Sequence, residues 1–187
     1  MINTMKMIMT FLALTMILHA AATAQTPVGS PASEDFSNIQ NFFRVNRQFC
    51  TGGQPSMENL QKMKREGVRS VINLRLASEY NFEEEASMAR KLELRYFHIP
   101  VDKSDLKDEQ VQKFLEVTGD PENRPMFIHC TSAGRVGTFW MIRRVLVDNW
   151  KIEDAKTEAR RIGMHDEKLR DWALDYIKRH EKADEKK

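Results

Sequence analysis

Apolar positions along the chain change period several times. Between Ser56 and Glu66 they recur as Met57, Leu60 and Met63, a spacing that puts them on one face of a helix. Ser56 is a natural N-cap for it, and Gly67 stops it. Val68 to Leu74 is continuously apolar at Val71-Ile72, as suits a parallel strand buried on both faces. Phe82, Ala86, Met88 and Ala89 predict a second helix over 78–92, with Glu83-Glu84-Glu85 on its wet face. Leu94 to Val101 and Met126 to Ile128 read as two further strands. From Val136 to Asn149 the helix is apolar on more than one side, with Phe139, Trp140, Ile142, Val145 and Leu146, so it belongs in the core; Trp150 joins it. Two amphipathic helices follow, 152–162 and 166–180, the second carrying Leu169, Trp172, Leu174, Tyr176 and Ile177. Strand alternating with helix predicts an α/β fold, a central and mainly parallel sheet flanked by helices.

The N-terminal pattern is different. Lys6, an apolar run from Met7 to Leu18 and Ala22-Thr23-Ala24 make a charged start, a short apolar stretch and a cleavage site. That is the form of a secretory signal peptide, cleaved after Ala24, and the run is too short to span a bilayer. The chain is therefore expected to be exported, periplasmic in a bacterium, with no stable membrane insertion after cleavage. Residues 25–38, rich in Pro, Gly, Ser and Ala, read as a flexible linker to one domain over 39–180, and 181–187 as a charged tail. Phe42, Phe43, Val45 and Phe49 give the start of the domain enough apolar surface to dock.

Charge adds little. The 187 residues hold 29 basic and 27 acidic side chains, a balance that argues against nucleic acid or anionic membrane as partners. Arg143, Arg144, Arg160 and Arg161 alternate with acidic residues at helical spacing and read as a solvated face. With five histidines, two cysteines and no clustered spacing, neither a metal site nor another cofactor is expected.

Chemistry concentrates in Met126-Phe127-Ile128-His129-Cys130-Thr131-Ser132-Ala133-Gly134-Arg135. A strand runs into a cysteine, a loop of small residues follows, and an arginine opens a helix. Backbone N–H groups in such a loop can curl into an anion-binding concavity, and the positive helix end adds to the field. A cysteine there is drawn towards its nucleophilic thiolate form, facing donors that can stabilise displaced charge. The junction falls beyond the carboxyl end of a strand, where α/β sheets bind their ligands. Gly53 and Gln54, in the Gly52-Gly53-Gln54-Pro55 turn, either approach this loop or serve a strand-to-helix turn needing positive φ.

These residues resemble the active-site loop of cysteine-dependent tyrosine and dual-specificity phosphatases. Phe49-Cys50-Thr51-Gly52-Gly53-Gln54-Pro55-Ser56, Val71-Ile72-Asn73-Leu74-Arg75 and His98-Ile99-Pro100-Val101 sharpen the likeness. Together they are similar to a bacterial phosphatase-like family whose members stand alone or are fused to persulfide dioxygenase-type or NAD kinase-like domains. The resemblance covers about 48–171. It implies Cys130 as nucleophile, with Arg135 and the loop residues Thr131, Ser132, Ala133 and Gly134 binding substrate. His129 becomes a structural support, hydrogen-bonded within the loop. The general acid would be Asp102, one position earlier than the family's usual aspartate, or Asp105, whose other reading is a helix N-cap.

One departure has physical weight. Four residues separate Cys130 from Arg135, against five in the phosphatase signature, and Val136 stands where the signature has Ser or Thr. Losing one Cα spacing of ~3.8 Å shrinks a ring's radius by about 0.6 Å. A smaller cradle suits a changed phosphate pose or a smaller group such as a cysteine persulfide. Three functions follow: a phosphoester hydrolase working through a phosphocysteine on a phosphorylated protein or small phosphoester, a sulfurtransferase carrying persulfide on Cys130, or an inactive oxyanion-binding module. The protein is expected to be a monomer. Cys50 either pairs with Cys130 as a redox partner, as exported cysteines do, or fills the core.

Overall fold

The computed structural model describes residues 30–31 and 36–184. Its strands are β1 (Ser30–Pro31), β2 (Phe43–Arg44), β3 (Phe49–Gly52), β4 (Ser70–Asn73), β5 (Arg95–His98) and β6 (Met126–His129). Its helices are α1 (Met57–Arg65), α2 (Phe82–Lys91), α3 (Asp108–Gly119), α4 (Gly134–Leu146), α5 (Ile152–Ile162) and α6 (Glu167–Asp184). The strands form one sheet in the order β1-β2-β3-β6-β4-β5. β3, β6, β4 and β5 run parallel; at one edge β2 pairs antiparallel with β3, and β1 antiparallel with β2. The fold is thus the expected α/β architecture.

β6 lies between β3 and β4, its Ile128 opposite Thr51 on one side and Ile72 on the other. All four of its residues are buried. Such a strand has to be apolar on both faces, and its carboxyl end opens where the flanking strands also end. One face of the sheet packs on α3 to α6 through Phe114, Phe139, Trp140, Ile142 and Tyr176. The other covers α1 and α2 through Leu60, Met63, Val71, Ala89 and Phe127. α1 starts after Ser56, whose Oγ accepts from the Asn59 backbone N–H at 3.1 Å while the Asn59 side-chain Oδ1 accepts from the Ser56 backbone N–H at 3.1 Å, a reciprocal cap.

The signal segment 1–24 lies outside the described residues. Several other expectations need correction. Within the stretch read as a linker, Ser30–Pro31 pairs with β2 and Phe36 is buried against Phe42, with ring centroids 4.9 Å apart; an aromatic that large finds the core. α2 begins at Phe82 instead of residue 78, because Asn81 caps it and the preceding turn is held by Arg75. Glu85 is fully buried, not on a wet face. Arg143 and Arg144 are buried too. Both pair with Asp148, Arg144 also with Glu158, and their guanidinium planes lie 5.1 and 5.0 Å from the Trp140 ring; paired, stacked guanidinium groups tolerate burial. Trp140 donates its indole N–H to the same Glu158 carboxylate at 2.7 Å, tying α4 to α5.

Candidate active site

Cys130 follows the last residue of β6 and is 2% exposed. Its loop is held from outside by neighbouring turns. The His129 carbonyl accepts from the Leu74 amide at 2.9 Å, the Thr131 carbonyl from the Gln54 amide at 3.2 Å, and the Ser132 carbonyl from Asn41 Nδ2 at 2.9 Å. Because a trans peptide sets C=O and the next N–H in opposite directions, the braced Thr131 carbonyl turns the Ser132 N–H to the other side of the loop. Ala133 turns the chain with φ 65°, the left-handed region, and α4 begins at Gly134. That conformation costs a non-glycine residue about 1 kcal/mol and sets the helix N-terminus against the loop.

Close approach explains the glycines around it. A Cβ on Gly53 would lie 2.7 Å from the Thr131 carbonyl oxygen, and one on Gly163 would lie 3.0 Å from that of Ser132. Gly53 is not among the residues with positive φ, so of its two readings contact with the loop is the one realised.

Arg135, buried at 2% exposure, points its guanidinium back across the loop. Nη1 donates to Glu79 Oε1 at 2.9 Å and to the Val101 carbonyl at 3.0 Å. Nη2 donates to Glu79 Oε2 at 2.6 Å and to Thr131 Oγ1 at 3.0 Å. Of the five N–H donors of a guanidinium, the four on Nη1 and Nη2 are taken up by these acceptors; Nε–H makes none of these bonds and is buried, and the guanidinium also interacts with Cys130. Burial works against the charge of Arg135, but Glu79 and Cys130 more than restore it. Burial likewise pushes the Glu79 carboxyl up, and the bonds and charge of Arg135, with Thr131 and Arg75, outweigh it and hold it below the usual range.

Behind the loop lies a buried polar chain. His129 Nε2 and Glu85 Oε1 are 2.7 Å apart with both side chains wholly buried. Glu85 also accepts from Gln54 Nε2. Gln54 Oε1 accepts from Arg75 Nη1 at 2.8 Å, and Arg75 Nη2 donates to the Glu79 backbone carbonyl at 2.5 Å. His129 therefore supports the site through α2 and not through a bond within the loop. Burial raises the Glu85 carboxyl, but His129, Gln54 and Tyr96 together bring it below its ordinary value.

The two aspartates stand apart from this chain. Asp102 turns its Oδ1 onto the Ser104 amide at 2.8 Å and the Ser104 hydroxyl at 2.7 Å; these bonds hold its carboxyl low, with Arg135 a lesser cause. Asp105 pairs with Lys107 at 3.0 Å in solvent and is not a helix cap, since α3 starts after Lys107. Cys50 cannot reach Cys130. It sits on β3 opposite Phe127 and belongs to the core on the α1–α2 face, whereas Cys130 belongs to the opposite face. Its thiol is pushed up to about 12, chiefly by burial. Both cysteines are free, and Cys50 fills the core.

Sequence reasoning missed Glu79, Asn41 and the role of Arg75. The available signal was Arg75 and Glu79 four residues apart just past a strand's carboxyl end. Among the described residues no His/Cys/Asp/Glu group could hold a metal ion, and no helix is long and apolar enough to cross a membrane.

A putative phosphatase (DUF442) from Shewanella putrefaciens matches with a TM-score of 0.63 at 21% identity, over 77% of this chain and 95% of that one. The catalytic core of the PP-IP phosphatase SIW14 from S. cerevisiae gives 0.63 and 21%, over 79% and 94%. P. aeruginosa TpbA (C132S), in complex with pTyr, gives 0.63 and 19%, over 82% and 90%. At these identities the likeness is one of fold. The beta-lactamase hydrolase-like protein of Xylella fastidiosa is 25% identical over 116 residues, 60% of this chain but only 27% of that protein's length. A family model described as "DSP-PTPase phosphatase fused to NAD+ Kinase" matches residues 26–174. A match over most of the chain, on a fold that sets Cys130 and Arg135 at the two ends of one loop, means that the chain belongs to this DSP-PTPase phosphatase family.

Proposed function

We propose that the protein is a cysteine-dependent phosphoric monoester hydrolase of the tyrosine and dual-specificity type. It would act as a monomer, in the exported compartment expected from residues 1–24, on a phosphorylated protein or a small phosphoester. The observation that carries the reading is the buried Arg135 guanidinium, its four Nη donors fixed by protein acceptors and its charge coupled to Cys130 at the other end of the same loop. A guanidinium so clamped presents its remaining donor without reorganising, the condition under which electrostatic stabilisation is most effective.

Cys130 then attacks phosphorus, loop amides and Arg135 Nε–H bind the equatorial oxygens, and water hydrolyses the phosphocysteine. The leaving oxygen needs a proton from a carboxyl group at the mouth. Purified protein under reducing conditions should hydrolyse an aryl phosphate and lose that activity on Cys130→Ser; an inert wild type rejects the proposal. The four-residue spacing between Cys130 and Arg135 favours a second reading, sulfur transfer. It requires one added sulfur on Cys130 after incubation with a persulfide donor, read by mass spectrometry.

A further inference from the structure

The loop that follows β4 brings a carboxylate to the cradle that the sequence did not assign. Glu79 meets Arg135 with both oxygens, at 2.9 and 2.6 Å, and accepts from the Thr131 hydroxyl at 3.2 Å. Thr131 is the residue next to Cys130. The side chain remains 31% exposed, so it borders solvent as well as the buried guanidinium. The aspartates expected to act as acid are engaged elsewhere, Asp102 with its own turn at Ser104 and Asp105 with Lys107.

Resting on the phosphatase reading, we propose that Glu79 is the general acid and base of the reaction. The thiolate of Cys130 forms a bond to phosphorus while the bond from phosphorus to the leaving oxygen breaks. Its electron pair goes to that oxygen, which takes the Glu79 proton. Water then attacks phosphorus, returns a proton to Glu79, and the sulfur–phosphorus bond breaks to restore the thiolate.

Substrate loading prepares this proton. Without substrate the carboxyl is held low mainly by Arg135. A phosphoryl dianion in the loop shares that guanidinium and sets negative charge beside Glu79, and both effects favour the protonated carboxyl. The corresponding lowering at Asp102 comes first from Ser104, which a substrate leaves untouched. The charged groups facing Glu79 are Arg135 from α4 and Arg75 from the loop after β4, with Asp102 beyond Arg135.

Leaving-group dependence separates an acid from a strut. Glu79→Gln keeps an oxygen for Arg135 but has no proton to give. General acid catalysis contributes about 10²–10⁴-fold. Both substrates should lose activity as the Arg135 clamp weakens, but the loss in kcat/KM on an alkyl phosphate should exceed that on p-nitrophenyl phosphate, whose leaving phenolate needs little protonation, by at least ~10²-fold. Its pH profile should also lose the alkaline limb that the wild type shows. Equal losses on both substrates with the limb retained would make Glu79 a positioning residue and overturn the proposal. A gain in activity would overturn it in favour of a blocking role. The steep dependence appearing in Asp102→Asn and not in Glu79→Gln would return the acid to Asp102. A wild type inert on both substrates would overturn the phosphatase reading with it.

Discussion

Gly137, the fourth residue of α4, faces the end of α5 and the turn that follows it. A Cβ there would meet the Ala159 carbonyl oxygen at 2.6 Å, Met164 Cβ at 3.0 Å and the Met164 amide nitrogen at 3.1 Å. Two of the three are backbone atoms of α5 and the turn after it, so no side chain can swing aside. Replacing glycine by alanine inside a helix gains ~1 kcal/mol in propensity. Forcing a methyl group into a filled contact costs ~1–3 kcal/mol, occasionally more. At 2.6 Å from a carbonyl the upper end applies, leaving Gly137→Ala about 1–2 kcal/mol less stable. Gly119, the last residue of α3, has nothing within 4 Å of its Cβ position, so Gly119→Ala should be neutral or gain ~0.4–1 kcal/mol. Urea unfolding reads both, as shifted midpoints at unchanged slope. Gly163 and Met164 move with α5, and Gly163 abuts Ser132 and Ala133, so Gly137→Ala should lower kcat/KM as well. A midpoint for Gly137→Ala equal to or above that of the wild type would refute the packing argument.

Other outcomes follow from the same contacts. Glu85→Ala leaves the buried His129 Nε2 without its hydrogen-bond partner and should cost ~1–3 kcal/mol in urea unfolding at neutral pH; an unchanged midpoint would mean the pair is not held as described. The folded Glu85 carboxyl lies below the ordinary 4.5, so its contribution is complete above that value and lost as pH falls through the folded one. Wild-type stability should therefore drop below about pH 4.5, and Glu85→Gln should flatten that slope; an unchanged slope contradicts the assignment. Thiol titration of protein denatured without reductant should count both cysteines, and Cys50→Ala should retain phosphatase activity; a Cys50–Cys130 disulfide would contradict the opposite-face placement. Protein recovered from an exporting bacterium should begin at Gln25, and an N-terminus still carrying residues 1–24 would refute the signal reading.

Elements with strong periodicity were legible in the chain. The 152–162 helix was read with the bounds it has, because its apolar positions face one neighbour and its glycine stop is unambiguous. The His129-Cys130 to Arg135 junction was legible because its chemistry is contiguous. α3 is less legible, although Val111, Phe114 and Val117 recur at helical spacing, because Lys107, the residue before its first turn, is not a type that marks a helix start. Glu85 was read as wet because an acidic run looks solvated, and only tertiary pairing with His129 makes burial tolerable. Glu79, Gln54 and Asn41 reach the loop from three separate turns, a juxtaposition that sequence distance conceals. Cys50 and Cys130 looked bridgeable along the chain, and the pleat of the sheet parts them.

The central claim is that Cys130 carries the phosphoryl group between substrate and water. Rapid acid quench of the wild type during turnover of a phosphoester, followed by peptide mass spectrometry, tests it directly. The account predicts one phosphoryl group on the peptide containing Cys130, absent in Cys130→Ser. Turnover with the phosphoryl group on another residue, or with activity retained in Cys130→Ser, would contradict it.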